Sequence, residues 1–538
     1  MKKNIIIIVG IIAIVQLCSS CKKDFLDEEV YSSYAPETLA DSLGLEASVI
    51  GLQNHLSTFF SFSDRQGWPS VWNAGTDIAF VPPTQKEGIE VPYYDYTQLI
   101  STDAASSYTW SWAYRMINNA NIIINNIDTR AGAMTQANKN SVKAEAFFFR
   151  AYAYNTLATL YGKVPIITAP LTAPKTDFVR ASLDSVNSLI IQDLVFAAAN
   201  LTDVAAVNAK NYANGKPIQR ANKYMAMQLL AEVYLRAGKP DLAEVQCNAI
   251  INSGKFGLVN TRYGTRAAQP GDPFSDMFIY GNERRSQGNR EAIWVMEQEN
   301  PSTTPGGITN NPQQRRNWGA AYYQIAGMTI CDSLGGRGIG RMRLTNWVVY
   351  DLYENADMRN SGYNLRRKFY INTPGPTYGQ LVPYVGADTV FKICPHTTKW
   401  FQYDPNDVFG FAMIKDFILM RLGETYLLLA EAQFKQGKLT EAAISLNAIR
   451  ARANATAVLP AQVTLSFILD ERARELLAEE NRRMTLMRTG TLVTRTTQLN
   501  TQTINPVVGL AAKHLLLPIP KSEIDLNKDA VLEQNNGY

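Results

Sequence analysis

The chain has 538 residues, 46% of them hydrophobic, enough to bury a large core as one big domain or two interlocked ones. Its formal charge of +4 comes without a basic stripe or an arginine-rich tract, which argues against nucleic acid, since phosphates need clustered Lys and Arg. Cys18 and Cys21 lie at the start, so Cys247, Cys331 and Cys394 allow one disulfide at most and exclude a disulfide scaffold.

At the N-terminus, Lys2 and Lys3 precede an apolar run from Ile5 to Val15, followed by Leu17-Cys18-Ser19-Ser20-Cys21. A basic start, a short apolar core and a small-residue cleavage site describe a secretory signal over residues 1–20. The run is shorter than the about 20 apolar residues that span a bilayer. The stretch before Cys21 resembles a bacterial lipoprotein signal, which implies diacylglycerol on the Cys21 sulfur and a third acyl chain on its amine. Two or more acyl chains hold a protein stably on a membrane. Removal of residues 1–20 lowers the formal charge to +2.

Residues 53–112 then lack sustained helical periodicity and are rich in Gly, Pro, Asn, Trp and Tyr. Trp68, Trp72 and Asp77 stand close together here, followed by Tyr94 and Tyr96. Rings beside an acid, on a loop carried by a rigid frame, suit a ligand whose apolar faces lie on aromatics and whose hydroxyls need polar partners. Trp110 and Trp112 head a helix and are expected in the core. Helical patterning follows over Ser141–Tyr161 and Leu183–Ala199.

An internal repeat comes next. Leu230–Ile250 and Leu429–Ile449, at an offset of 199, share nine of 21 residues, including Leu-Ala-Glu, Gly-Lys and Asn-Ala-Ile. Each reads as two antiparallel helices, with Gly238 or Gly437 in the turn and Ala243 or Ala442 permitting close approach. This is tetratricopeptide-like patterning, and such pairs need further helices stacked on them. Between the copies, residues 255–415 form a second excursion that offers Trp318, Tyr322 and Tyr323 as further ligand candidates. The run Gly335–Gly340 lacks a preceding strand and a following Lys-Ser, so it reads as a flexible binding or packing loop. Cys394-Pro395-His396 reads as a loop or strand end, because no second ligand pair accompanies it.

A last long helix is expected over Leu465–Arg488, with Glu471, Glu475 and Glu479 at i, i+4 spacing and Arg483 four beyond, as an exposed, salt-bridged face. Pro518 and Pro520 stiffen a tail expected to pack back on the helices. No nucleophile elbow, zinc-protease or phosphate-loop motif occurs, and no catalytic residue, metal or cofactor is assigned. The expected fold is therefore mostly α: tetratricopeptide-like helix pairs as a scaffold, with long irregular insertions that carry the binding face.

The motifs of the mature chain resemble, in order, those of the SusD/RagB family of nutrient-binding lipoproteins. They are Cys21–Asp27 (CKKDFLD), Glu145–Ile167, Tyr350–Arg359 (YDLYENADMR), Phe417–Ala432 and Leu446–Ala453. After these come Glu471–Gly490 (ERARELLAEENRRMTLMRTG) and the terminal run LLLPIPKSEIDLNKDAVLEQNNGY. Thr485 stands where the family commonly has an acid. The resemblance implies an N-terminal region 21–240 and a C-terminal region 241–538 packed as one body, lipid-anchored on the outer face of the outer membrane. It also implies capture of a glycan without catalysis, and delivery to a SusC-like TonB-dependent transporter. Peptide capture by the same fold is the alternative, followed by a scaffold with no small ligand and by a lipid-anchored glycosidase with two carboxylates about 5 to 10 Å apart.

Overall fold

The computed structural model describes residues 42–538, apart from 62–70, 84–87, 130, 133, 205–211, 214–215, 218–219, 301–302, 305–311 and 411–412. Residues 1–20, Cys21 and Trp68 thus lie outside the described residues. No helix among the described residues is long and apolar enough to cross a membrane.

Helices dominate. α1 (Ser42–Thr58), α2 (Ala104–Thr129), α3 (Gln136–Tyr161) and α4 (Leu183–Asn200) lead into the first repeat pair, α5 (Lys223–Arg236) and α6 (Pro240–Ile251). Their starts follow from local chemistry, since Thr135, Ser182 and Asn222 accept hydrogen bonds from first-turn N–H groups at the heads of α3, α4 and α5. Ala144, Ala146, Ala151 and Ala153 on α3 are buried, as are Val186, Ile190 and Leu194 on the facing α4. A buried fork from Arg150 to Asp193, at 2.7 and 2.8 Å, ties the two helices together.

The second repeat pair, α7 (Leu422–Lys435) and α8 (Leu439–Arg452), stacks on the first through α7 and α6. Gly238 (φ 70°) and Gly437 (φ 75°) supply the left-handed turns expected of them. Ala243 and Ala442 are fully buried between their helices. Glu244 joins the pairs by accepting from Lys438 at 2.6 Å and Gln436 at 2.8 Å. The repeat is therefore a real packing unit, and the mostly helical, tetratricopeptide-like scaffold is as expected.

The excursions contain short antiparallel strand pairs. β1 (Ala79–Phe80) pairs with β3 (Arg343–Leu344), β2 (Ala292–Met296) with β6 (Phe417–Arg421), and β4 (Leu365–Arg366) with β5 (His396–Thr397). The first excursion is shorter than its composition suggests, because α1 runs to Thr58 and α2 begins at Ala104. The glycine run packs tightly: a Cβ at Gly336 would stand 2.3 Å from the Gln402 carbonyl oxygen, so no side chain fits there. His396 sits at the strand end proposed for it, buried, and all three remaining cysteines are free thiols.

The expected helix over Leu465–Arg488 is corrected to α9 (Leu465–Glu475) and α10 (Arg482–Arg488), followed by α11 (Leu492–Leu499). The break has a cause. Lys399 and Arg421 donate to the Glu475 carbonyl at 2.8 and 2.6 Å, and the Trp400 indole donates to that of Ala478 at 3.1 Å. Donors from elsewhere satisfy the last carbonyl of α9 and that of Ala478 beyond it, so the chain can turn, with Ala478 in the left-handed region at φ 61°. The acids are not an exposed face either. Glu471 and Glu475 are fully buried against Arg359, Arg421, Arg450 and Arg452. Glu479 pairs with Arg421, while Arg483 donates to the carbonyls of Val71 and Ala74 and to the Tyr96 hydroxyl. The tail does pack back: Asn535 bonds the carbonyls of Tyr161 and Leu517 at 3.0 and 2.8 Å.

Candidate ligand-binding site

Trp72 follows α1 and lies stacked on Phe59, with centroids 5.9 Å apart and planes at 5°, and edge-on to Tyr93 at 6.3 Å. Trp294 comes from the fully buried strand β2, where it meets Phe148 and Tyr152 edge-on. Trp318 ends a short helical turn over Gln314–Trp318. Trp400, just after β5, packs against Phe417 at 4.8 Å. These four of the chain's eight tryptophans line one cavity of about 160 Å³, with Phe60 and Tyr152 beside them. That volume is below the about 300–1,000 Å³ of sites that enclose a drug-sized ligand. It suits one small ring at the end of a longer molecule.

Polar groups with unmet demand surround the rings. Trp72 Nε1, Asn73 Oδ1, Gln314 Oε1, Arg472 Nη1 and Asn481 Nδ2 are buried and have no hydrogen-bond partner among the described residues. A buried polar atom without a partner costs about 1–3 kcal/mol. Donors and acceptors are mixed, which matches a hydroxylated ligand or water rather than a single charge. The acids at the cavity are already engaged. Arg472 and Gln228 each donate to Glu424 at 2.9 Å, and burial raises that carboxyl's pKa. At Glu480, burial also raises the pKa, but Arg472 and Arg482 outweigh it and hold the carboxyl below its ordinary range. Among the described residues no group of three His, Cys, Asp or Glu could hold a metal ion.

Of the residues singled out from sequence, Trp72 and Trp318 meet at this cavity, although both are almost fully buried. Asp77 is corrected from a ligand contact to a structural anion. It has no exposed surface, and its carboxylate accepts from Arg482 at 2.6 and 2.8 Å and from Arg495 at 2.8 Å. Burial pushes its pKa up, but the two guanidiniums prevail and hold it low. Tyr94 and Tyr96 are buried as well, and Tyr96 donates to the Gly75 carbonyl at 3.2 Å while accepting from Arg483 at 2.6 Å. Unlike Trp72 and Trp318, neither tyrosine lines the cavity, and both hold the loop together. Tyr322 is buried in a separate cluster, bonded to the Gly336 carbonyl at 2.9 Å, with half-buried Tyr323 against it. Trp294 and Trp400 are not singled out by the sequence; at Trp294 every residue of β2 is buried, so no alternation marks one of them as facing a cavity.

Comparison with known proteins agrees with this architecture. A profile described as "SusD family" matches residues 342–538, and one described as "Starch-binding associating with outer membrane" matches residues 24–235. A SusD-like protein of Formosa agariphila is 25% identical over 559 residues, spanning 100% of this chain and 99% of its own. The starch-binding protein SusD of Bacteroides thetaiotaomicron is 25% identical over 500 residues, spanning 82% and 81%. Among solved structures, a laminarin binding SusD-like protein superposes with a TM-score of 0.68 at 21% identity, over 92% of this chain and 99% of that one. Surface glycan-binding protein A from Bacteroides thetaiotaomicron, in complex with laminarihexaose, gives a TM-score of 0.66 at 18% identity, over 92% and 100%. Two profiles of one kind in sequence order, with relatives that span 100% and 82% of the chain, lead to one assignment: the chain belongs to the SusD/RagB family.

Proposed function

We propose that this protein binds a glycan and hands it to a SusC-like TonB-dependent transporter, tethered to the outer membrane by lipid on Cys21 and facing the cell exterior. The observation that carries the binding reading is the set of unpartnered polar atoms around the four-tryptophan cavity. A sugar ring has CH faces for the indoles and hydroxyls for Asn73, Gln314 and Asn481. The relatives named above for starch and laminarin support the same ligand class. The engaged acids around the cavity suit binding without hydrolysis.

Affinity electrophoresis against a polysaccharide panel, with a peptide mixture in parallel, tests this. Asn73→Leu and Gln314→Met remove acceptors that no group among the described residues uses, so stability should hold or rise. Retardation by the preferred glycan should fall at least fivefold in each. Unchanged retardation in both variants removes the cavity from the function. Peptide binding without any glycan binding moves the protein to peptide capture.

A further inference from the structure

A second concavity, of about 440 Å³, opens on the face formed by residues 265–280, 332–333, 363–366 and 398–403. It shares no lining residue with the tryptophan cavity. The two stand back to back, since Trp400 lines the cavity while its neighbour Phe401 lines the groove. Tyr280 and Tyr363 expose nearly half their surface there, 45% and 47%. Their hydroxyls have no hydrogen-bond partner among the described residues, so the rings offer both a face and a polar tip.

Arg366 sets the chemistry of the groove. It leaves β4 beside the Phe401 ring, 6.0 Å from its centroid, and the only hydrogen bond of its side chain among the described residues runs from Nη2 to the Ser333 carbonyl at 3.1 Å. Its Nε is buried with no partner, and no carboxylate pairs with it among the described residues. The only acid among the described lining residues, Asp332, is held by Arg266 at 2.6 and 2.8 Å. His396, the strand partner of Arg366, is buried and adds no carboxylate. Among the described residues the groove therefore carries one guanidinium with no carboxylate partner, a group whose planar fork matches a planar or tetrahedral oxyanion.

The geometry points to a second saccharide site, selective for a sugar that carries an anionic group, with Arg366 on the anion and Tyr363 and Tyr280 on the ring. Carboxylate and sulfate share this chemistry, and the probes separate them.

Native affinity gels of the purified protein at about 150 mM salt, where loose charge attraction is screened, would contain polygalacturonate, a sulfated galactan or neutral laminarin. Wild type should be retarded by one of the two anionic polymers. Polygalacturonate alone identifies a carboxylate, and the galactan alone a sulfate. Arg366→Gln should lower that retardation at least fivefold and leave laminarin retardation unchanged, and Tyr363→Ala should lower it at least threefold. Should Arg366→Gln melt much below wild type, Arg366→Lys keeps the charge, loses the fork and should still weaken binding. Absence of retardation by both anionic polymers, or equal retardation of wild type and the folded Arg366 variant, overturns the assignment. Asn73→Leu serves as the control for the tryptophan cavity and should leave anionic retardation intact, so the two sites fail separately.

Discussion

Asp77 shows how burial changes the meaning of a residue. Beside two tryptophans and a glycine it looks like a hydrogen-bonding partner for a sugar, yet the fold spends both carboxylate oxygens on Arg482 and Arg495. Those arginines come more than 400 residues later in the chain, so no local pattern announces them. Removing one member of a buried ion pair costs about 3–5 kcal/mol, because the other charge is left uncompensated. Asp77→Asn should therefore lower unfolding stability by about that amount in urea titration. Its folded fraction should keep ligand affinity. A loss of affinity without a loss of stability would restore Asp77 to the binding surface.

At the scale of elements, the segment from α9 to α10 is the part that local rules misjudge most. Helix propensity and acid–arginine spacing favour one continuous helix through Leu477 and Ala478. Instead, side chains of Lys399, Arg421 and Trp400 cap the carbonyls of residues 475 and 478. The turn leaves Ala478 at φ 61°, a conformation that costs a residue with a Cβ about 1–2 kcal/mol. Ala478→Gly should be neutral or up to about 1 kcal/mol more stable by denaturant melt, while Ala478→Val should destabilise. If Gly destabilises clearly, the packing of the alanine methyl near the cavity outweighs its backbone strain. The helix pairs behave in the opposite way, since a left-handed glycine and a buried alanine are short-range devices that work wherever they occur.

For the molecule as a whole, charge pairs run between distant parts of the chain. Asp77 meets Arg482, and Glu291 meets Arg421 and Arg452. The boundary expected at residue 240 falls beside the Gly238 turn, within the first helix pair. We expect a single calorimetric transition for the full chain and no cooperative transition for residues 21–240 alone. A cooperative fragment would show that the N-terminal region folds by itself.

Acid should unfold the molecule in two stages. Burial holds His396 and His514 at about 4, so they stay neutral in the fold while the unfolded chain protonates near 6.5. The unfolded state binds more protons in that window, so stability falls from about pH 6.5 to 4. At Glu431, burial raises the pKa but the bidentate Arg488 overcomes it and brings the carboxyl to about 2. That contribution is present above about pH 4.5 and is lost as pH falls toward 2. Melting temperatures across pH 2–8 should show both stages, and His396→Phe should flatten the upper one. An unchanged upper stage would assign it to other groups.

The sequence by itself determined the scaffold, the repeat and the family resemblance, because these rest on contacts a few residues apart or on motifs preserved in order. Gly238 with Ala243, Gly437 with Ala442 and the run from Glu471 to Gly490 carry that information locally. Only the tertiary structure decided which aromatic rings share a cavity. Trp72, Trp294, Trp318 and Trp400 arrive from four separate segments, and whether an indole is core or cavity wall depends on neighbours that no spacing rule names. Tertiary structure also sank the Glu471–Glu475 face into the core, since arginines from three other segments supply the compensation that makes such burial possible. Local periodicity reports a residue's own helix or strand; burial and charge compensation are properties of the assembled whole.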